Sequence, residues 1–214
     1  MPIANINGVN LNYEIAGQGK AIVFLHGYTG STQDWANQMP VLSQKYKVVA
    51  LDLRGHGKSE APSSEEEYSV QIFADDVLGL LRILDIKKCC LVGHSLGGFI
   101  ALQFALEYPG MLAALVLVDT SSGEFVRIPN YAELRQKLDE LARSQGMEAA
   151  FKYDAANNPQ RIERFQKHPE LREVTRQRML MTSVDGYIYT SKAVGKWQPR
   201  TSRLSEITVP TLIY

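Results

Sequence analysis

The sequence is poor in the residues that build disulfide frameworks and metal clusters. It holds two cysteines and four histidines in 214 residues, and Cys89 and Cys90 are neighbours in a short apolar run. Adjacent cysteines in a buried strand suit neither a disulfide framework nor a set of metal ligands, so we expect them to pack as small apolar side chains. We therefore predict no disulfide and no bound metal.

The sequence also lacks an excess of charge of either sign and any long apolar run. Lysine plus arginine and aspartate plus glutamate both number 23, so the net charge is zero. Without a basic field the chain is not expected to bind nucleic acid or an anionic membrane, which favours a small, weakly charged partner. The N-terminus lacks the basic start and apolar core of a secretory signal, and no run reaches the length of a membrane span. These absences predict a cytoplasmic protein.

Short apolar runs recur along the chain and alternate with helical patterns. Continuous apolar runs of this kind are typical of parallel strands that are covered on both faces. Residues 5–9 and 11–15, broken at Asn7-Gly8, predict instead an antiparallel hairpin at the sheet edge. The predicted fold class is α/β, with a mostly parallel sheet whose strands fall at residues 21–25, 48–51, 90–92, 115–118 and 209–214.

Three helices are predicted between these strands. Ser31 and Asp34 form a capping box that opens the first helix, and Pro40 interrupts it. Residues 69–84 place apolar side chains on one helix face. The third helix starts at the glycine-rich turn around residue 95 and stops before Pro109.

Strand patterns disappear between residues 121 and 204, where charged helical patterns replace them. A span of that length is not expected to be a bare loop, so we predict a helical cap over the strand ends. The predicted organisation is a core at residues 1–120, a cap at 121–204 and the start of a last core strand at 205–214. Basic residues in the cap alternate with acidic ones and predict a solvated helix face: Arg161, Arg164, Arg172, Arg176 and Arg178.

The strongest functional signal is Gly93-His94-Ser95-Leu96-Gly97, which lies where a strand pattern gives way to a helical one. A sharp strand-to-helix turn needs Gly93 and Gly97 at its flanks and holds the hydroxyl of Ser95 out of the sheet. The helix N-terminus then points backbone N–H groups at negative charge developing beside the serine. We predict Ser95 as a nucleophile; the alternative is a surface serine in a glycine-rich turn.

His26-Gly27-Tyr28 follows the third predicted strand. The backbone N–H of Tyr28 would supply one half of an oxyanion hole and that of Leu96 the other, and one such donor is worth roughly 10²–10³ in rate. We interpret His26 as a support that holds this loop by hydrogen bonds, although its imidazole could in principle act as a base. Gly27 and His94 are also assigned to structural support of the site.

Two further polar positions follow predicted strands. Residues 52–59 contain Gly57-Lys58-Ser59 but lack the upstream glycine of a phosphate-binding loop, so we predict a structural loop in which His56 is a loop residue. Asp119 ends a strand at the sheet edge that carries Ser95, where open parallel sheets collect ligands. Its carboxylate is a candidate catalytic acid; capping of the turn at residues 120 and 121 is the alternative.

Taken together, these motifs resemble the α/β-hydrolase fold family, especially its capped esterase, enol-lactonase and C–C hydrolase branch. The resemblance covers the whole chain. Ser95 stands where the epoxide hydrolases and haloalkane dehalogenases of this fold use aspartate, so their chemistry is disfavoured. The motifs that carry the resemblance are His26-Gly27, Asp52-x-Arg54-Gly55-x-Gly57-x-Ser59, Gly93-x-Ser95-x-Gly97-Gly98, Leu117-Val118-Asp119 and Val209-Pro210-Thr211-Leu212-Ile213-Tyr214.

The resemblance also implies what should follow in chain order. In the family the last of these motifs begins a strand, after which come a turn with the catalytic acid, a further strand, the catalytic histidine and a final helix. We expect these parts beyond Tyr214, and we expect a fragment that ends there to be nearly inert, because a serine without a base is a weak nucleophile.

The resemblance implies hydrolysis of a small carboxylic ester or lactone through an acyl-enzyme, with no metal or organic cofactor. The substrate would pass under cap helices that carry Phe125, Phe151, Tyr187 and Trp197. Two alternatives remain open: hydrolysis of a C–C bond in a dienoic diketone, and a non-catalytic ligand-binding protein built on the same fold.

Overall fold

A seven-stranded sheet forms the centre of the computed structural model, which describes residues 2–123 and 130–214. Its strands are β1 (Ile3–Ile6), β2 (Val9–Ala16), β3 (Ala21–Leu25), β4 (Lys47–Leu51), β5 (Cys89–His94), β6 (Leu112–Val118) and β7 (Thr211–Ile213). They lie in the order β1-β2-β4-β3-β5-β6-β7. β1 and β2 pair antiparallel, β2 is antiparallel to β4, and the remaining neighbours are parallel.

Helices connect the strands and cover the sheet. They are α1 (Gln38–Leu42), α2 (Val70–Ile83), α3 (Leu96–Glu107), α4 (Tyr131–Gln145), α5 (Met147–Asn157), α6 (Pro159–Lys167), α7 (Leu171–Leu180) and α8 (Val184–Lys196). β3 shows how the faces divide: Val23 and Leu25 pack in the apolar cluster that includes α2 and α3. Phe24 points to the other face, where it packs with Trp35 and Met39. The α/β prediction, with helices on both faces, is confirmed.

The predicted hairpin and second helix are present. Asn7 and Gly8 both adopt positive φ, 52° and 83°, which is the geometry of the tight hairpin turn that this dipeptide favours. Ser69 caps α2 by accepting a hydrogen bond from the backbone N–H of Ile72 (3.0 Å). Both elements were predictable because the signals that specify them are local.

The first predicted helix differs from the expectation. Ser31 caps only a short 3₁₀ turn, Thr32–Trp35, and accepts from the N–H of Gln33 (3.3 Å), so no capping box with Asp34 forms. Pro40 does not interrupt a helix, because it lies in the first turn of α1, where its missing N–H breaks no intrahelical hydrogen bond.

Two strand ends also differ from the sequence patterns. β6 begins at Leu112, three residues before the predicted run, and β7 spans only Thr211–Ile213. Leu212 and Ile213 are 60% and 75% exposed, so the last strand is an exposed edge of the described sheet. The predicted strand at 209–214 is therefore shorter than its apolar composition suggested, since Pro210 cannot donate to the ladder.

Helices α4–α8 form the helical segment, residues 131–196, which has an apolar cluster of its own. Phe151, Phe165, Met179 and Ile188 are buried within this cluster. The segment meets the sheet where Gly186 of α8 lies against Gly55, and Ser183 donates its backbone N–H to the carbonyl oxygen of Gly55 (3.0 Å).

The aromatic side chains predicted for the cap have different positions. Phe151 is buried inside the cluster of the helical segment, and Trp197 packs against Phe99 with ring centroids 5.1 Å apart. Tyr187, unlike Phe151 and Trp197, lines the cavity reported below. Phe125 lies outside the described residues.

Candidate active site

The turn around Ser95 has the strained geometry that the glycine pattern predicts. Ser95 lies between β5 and α3 with φ 50° and ψ −112°, a region that side chains rarely adopt. A Cβ at Gly93 would overlap the carbonyl of Gly97, and a Cβ at Gly97 would overlap the carbonyl of Leu25. Both flanking glycines are therefore required by close backbone approach.

Hydrogen bonds from β6 and the turn after it hold the Ser95 backbone in place. Ser95 donates its N–H to the carbonyl of Val118 (2.9 Å), and the Thr120 hydroxyl donates to the Ser95 carbonyl (2.8 Å). Gly98 lies against the Thr120 side chain with no room for a Cβ. The strain at Ser95 is thus maintained by neighbours on both sides of the turn.

The loop after β3 lies directly against this turn. A Cβ at Gly27 would lie 3.0 Å from Nδ1 of His94 and 3.4 Å from Cβ of Ser95. The backbone N–H groups of Tyr28 and Leu96 donate no hydrogen bond to any group in the described ranges. Two free donors beside a serine are what an oxyanion hole needs.

His26 supports this loop with both of its ring nitrogens. Nδ1 lies 2.8 Å from the carbonyl oxygen of Gly27, and Nε2 accepts the N–H of Leu53 (3.0 Å). Burial lowers the pKa of His26 to about 4. At neutral pH it is therefore uncharged, Nδ1 carries the proton, and no ring nitrogen is left to take a proton from Ser95.

His94 and Asp119 lie at the same cavity as Ser95. Burial lowers the pKa of His94, which the nearby carboxylates of Asp34 and Asp119 oppose. Asp119 adopts φ 51° and donates its backbone N–H to the carbonyl of Tyr214 (3.0 Å). Its carboxylate accepts no hydrogen bond within the described ranges, so it does not cap the turn at residues 120 and 121.

The loop at residues 52–59 is tied to the rest of the core by buried carboxylates. Asp52 accepts from the backbone N–H groups of Thr32 (2.6 Å) and Lys58 (2.9 Å), and Asp76 pairs with Arg54 (2.7 Å). His56 lies 3.0 Å from the carbonyl of Arg54 through Nδ1. This pattern fits a structural loop, in which the Asp52 carboxylate accepts from one backbone N–H of the loop and from one of the neighbouring turn.

A cavity of about 1020 Å³ lies between the Ser95 turn and the helical segment. Its floor comes from the core: Gly27, Tyr28, His94, Ser95, Leu96, Phe99 and Asp119. Its roof comes from α4 to α8 and carries four arginines: Arg135, Arg161, Arg164 and Arg178. The predicted solvated face does not hold for Arg161 and Arg178, which pair with Asp154 and Asp34, whereas Arg164 is exposed, as predicted, and also lines the cavity.

A contact that sequence reasoning missed joins roof and floor through Tyr28. Its hydroxyl donates to the carbonyl of Tyr187 (2.5 Å) and accepts from Arg135 (3.0 Å), whose guanidinium lies 4.0 Å from the Tyr187 ring centroid. Arg178 adds an ion pair to Asp34 (2.7 Å). No spacing in the sequence predicts these pairs, since they arise only when the helical segment docks.

Within the described ranges, no three histidine, cysteine or carboxylate groups gather closely enough to hold a metal ion. Over the same part of the chain, none of the helices combines the length and apolar character needed to cross a membrane.

Comparison with known families fits this geometry. The sequence profile of the alpha/beta hydrolase fold matches residues 20–199, and the chain belongs to that family. It is similar over its whole length to the thermophilic esterase from Thermogutta terrifontis (TM-score 0.84, 27% identity, 100% of this chain and 79% of that one). The enol-lactonase from Burkholderia xenovorans LB400 is comparable (TM-score 0.83, 28% identity, 99% and 80%).

Curated sequences show a broader set of relatives. A putative 2-succinyl-6-hydroxy-2,4-cyclohexadiene-1-carboxylate synthase of Bacillus subtilis is 30% identical over 95% of this chain and 76% of that protein. An uncharacterized protein of Mycobacterium tuberculosis is 40% identical, and epoxide hydrolase 4 of Mus musculus 37% identical, each over 53% of this chain. The matched part spans only 33% and 32% of those two proteins.

Proposed function

We propose that this protein is a serine hydrolase that cleaves a small carboxylic ester or lactone through an acyl-enzyme on Ser95. The observation that carries the proposal is the strained Ser95 turn, φ 50° and ψ −112°, beside the backbone N–H groups of Tyr28 and Leu96, which donate to no group of the described residues. Strain of this kind persists where the surrounding structure imposes it, and it is a feature of nucleophile turns in this fold.

In the proposed reaction, Oγ of Ser95 attacks the carbonyl carbon and its proton passes to a general base. The N–H groups of Tyr28 and Leu96 stabilise the negative charge on the carbonyl oxygen. The bond to the leaving alcohol then breaks as the base returns the proton to it, and water releases the acid by the same steps in reverse order. None of the four histidines of this sequence is assigned as the base in this proposal.

We assign Asp119 as the candidate acid, and residues 121–204 as a cap that selects the substrate. Asp119 lines the cavity, and its carboxylate accepts no hydrogen bond from the described residues, which suits a partner for an imidazole. The roof of the cavity comes almost entirely from the helical segment, which supports its assignment as the part that contacts the substrate away from the scissile bond.

The test uses the complete gene product with p-nitrophenyl acetate, p-nitrophenyl butyrate and a γ-lactone. Ser95→Ala should lower kcat by about 10⁴–10⁶, as removal of a serine nucleophile does elsewhere. Ser191→Ala is the matched control, because Ser191 lines the same cavity from α8 without lying in the nucleophile turn. A fluorophosphonate should add its mass to the wild type and not to Ser95→Ala. Equal activity of Ser95→Ala and wild type would refute the proposal.

Two alternatives have different outcomes in the same experiment. Turnover of a ring-cleavage product with a C–C bond in place of the ester, faster than that of any ester, would favour the C–C hydrolase. Ligand binding with no turnover of either class would indicate a non-catalytic binding protein.

A further inference from the structure

We propose that the roof of the cavity holds a carboxylate-binding subsite centred on Arg164, so that the substrate is an ester or lactone with a free carboxylate remote from the scissile bond. This inference rests on the proposed function and specifies its substrate class. It follows from the way charges in the roof are paired.

Two of the cavity arginines from α6 and α7 are already compensated by buried acids. Arg161 donates through Nε to Asp154 (2.8 Å), whose side chain is only 6% exposed. Arg178 pairs with Asp34 (2.7 Å), whose side chain is 10% exposed. These two guanidinium groups therefore contribute little net charge to the cavity.

Arg164 is different, because its side chain makes no hydrogen bond or ion pair with any residue in the described ranges. It lies three residues after Arg161 on α6, and residues at this spacing share one helix face. Two like charges on one face repel each other, and Asp154 pairs with Arg161 rather than with Arg164. A bound anion would remove that repulsion.

Two other arginines of the helical segment differ from Arg164, because their guanidinium groups contact other side chains. Arg172 lies over the rings of Phe151 and Phe165, and Arg176 pairs with Glu148 (2.8 Å). Neither lines the cavity. Arg164 thus combines a place in the cavity wall with a solvent-exposed guanidinium that has no partner among the described residues.

Arg164 also lies within electrostatic reach of the nucleophile turn. The positive charges of Arg178 and Arg164 both contribute to lowering the pKa of His94, the residue before Ser95, in addition to the larger effect of burial. Arg164 and Ser95 line the same cavity, so one substrate can contact both.

The chemistry of the guanidinium identifies the anion. Its planar fork matches the two oxygens of a carboxylate, and charged hydrogen bonds of this type are shorter and stronger than neutral ones. Asp119 and Glu133 of the cavity wall pair with no other described residue, and their negative charges disfavour a more highly charged group such as a phosphate dianion. We infer a half-ester or lactone of a dicarboxylic acid as the substrate class.

The test compares two ester substrates of matched length in the complete gene product, monomethyl glutarate and methyl hexanoate. The wild type should favour the acid ester in kcat/KM by roughly 10- to 100-fold, the effect of one charged hydrogen-bonded contact. Arg164→Gln should lower this ratio by the same factor, mainly through KM, and Arg164→Lys should give an intermediate ratio because it keeps the charge and loses the fork.

Lys167→Gln is the control, since Lys167 lies one turn further along α6, pairs with Glu163 and does not line the cavity. It should leave the ratio unchanged. A second measurement does not depend on turnover: glutarate should bind the wild type more tightly than Arg164→Gln in calorimetry.

The two hypotheses fail in different ways. If neutral and acidic esters are both hydrolysed and the ratio is the same in wild type and Arg164→Gln, the carboxylate subsite is refuted and the serine hydrolase stands. If no ester is hydrolysed but glutarate binds through Arg164, the proposed reaction is refuted and the subsite stands. Equal glutarate binding by wild type and Arg164→Gln overturns the subsite in either case.

Discussion

The geometry at Ser95 depends on the absence of a Cβ atom at the neighbouring glycines. Gly97 lies where a Cβ would meet the carbonyl oxygen of Leu25, so α3 can begin directly under the loop that carries Tyr28. Backbone atoms cannot yield in the way that the end of a flexible side chain can. A small substitution there is therefore transmitted to both the serine and the adjoining loop.

We predict that Gly97→Ala lowers the free energy of unfolding by about 1–3 kcal/mol, because overpacking against backbone forces the helix start to shift. Urea unfolding followed by circular dichroism would measure this change. Gly110→Ala is the control, since a Cβ at Gly110 meets nothing within 4 Å. A Gly97→Ala protein as stable as Gly110→Ala would contradict the close approach described above.

At the scale of elements, the junction between α8 and the loop at residues 52–59 determines where the roof lies. Gly55 has φ 77°, and its carbonyl oxygen accepts from the N–H of Ser183 (3.0 Å). A Cβ at Gly186 would overlap that same carbonyl group. Further out, Glu65 binds both Lys192 and Lys196 (2.6 Å each).

We predict that Gly186→Ala displaces α8 from the core and leaves the sheet folded. Amides of α8 should then exchange with deuterium faster, while those of β3 and β5 should keep their protection, since local openings differ in free energy from global unfolding. Gly195→Ala lies on the same helix with open space around it and should match the wild type. Unchanged protection of α8 in Gly186→Ala would show that the junction is not needed.

Elements were predictable from the sequence where their signals are local, and not where tertiary contacts decide. The turn at Asn7-Gly8 and the helix within residues 69–84 were predicted correctly, because a local turn signal and a local apolar periodicity specify them. Asp34 was assigned to a capping box and instead pairs with Arg178, which is distant in sequence. The position of Arg164 in the cavity wall was missed for the same reason. Sequence periodicity shows which residues share one side of a helix, but not which part of the fold that side contacts.

For the molecule as a whole, two buried histidines link stability to pH. Burial lowers the pKa of His26 to about 4 and that of His56 to about 3, both from 6.5. Above pH 6.5 both are neutral in the folded and unfolded chain, and their contribution to stability is complete. As the pH falls below 6.5 the unfolded chain takes up protons that the folded protein does not, so stability is lost toward pH 4 and below.

We predict that the free energy of unfolding falls between pH 7.5 and pH 5.0, and that His56→Gln reduces this fall by up to about 2 kcal/mol, at about 1.4 kcal/mol per pH unit below 6.5. The measurement is urea unfolding at the two pH values, and only the difference between them is compared. His168→Gln is the control, since the His168 side chain is 60% exposed. The same fall in His56→Gln as in wild type would mean that His56 is already charged in the folded protein.

The division of the cavity into a floor and a roof has a consequence for how such a protein changes over generations. The groups that we propose to react lie on the floor, in the loops at the strand ends, while α4–α8 have an apolar cluster of their own. Substitutions in the roof, away from its contacts with Tyr28 and Gly55, can therefore accumulate without disturbing the turn at Ser95. Related proteins can in this way keep the same residues on the cavity floor while changes in α4–α8 alter which substrates they accept.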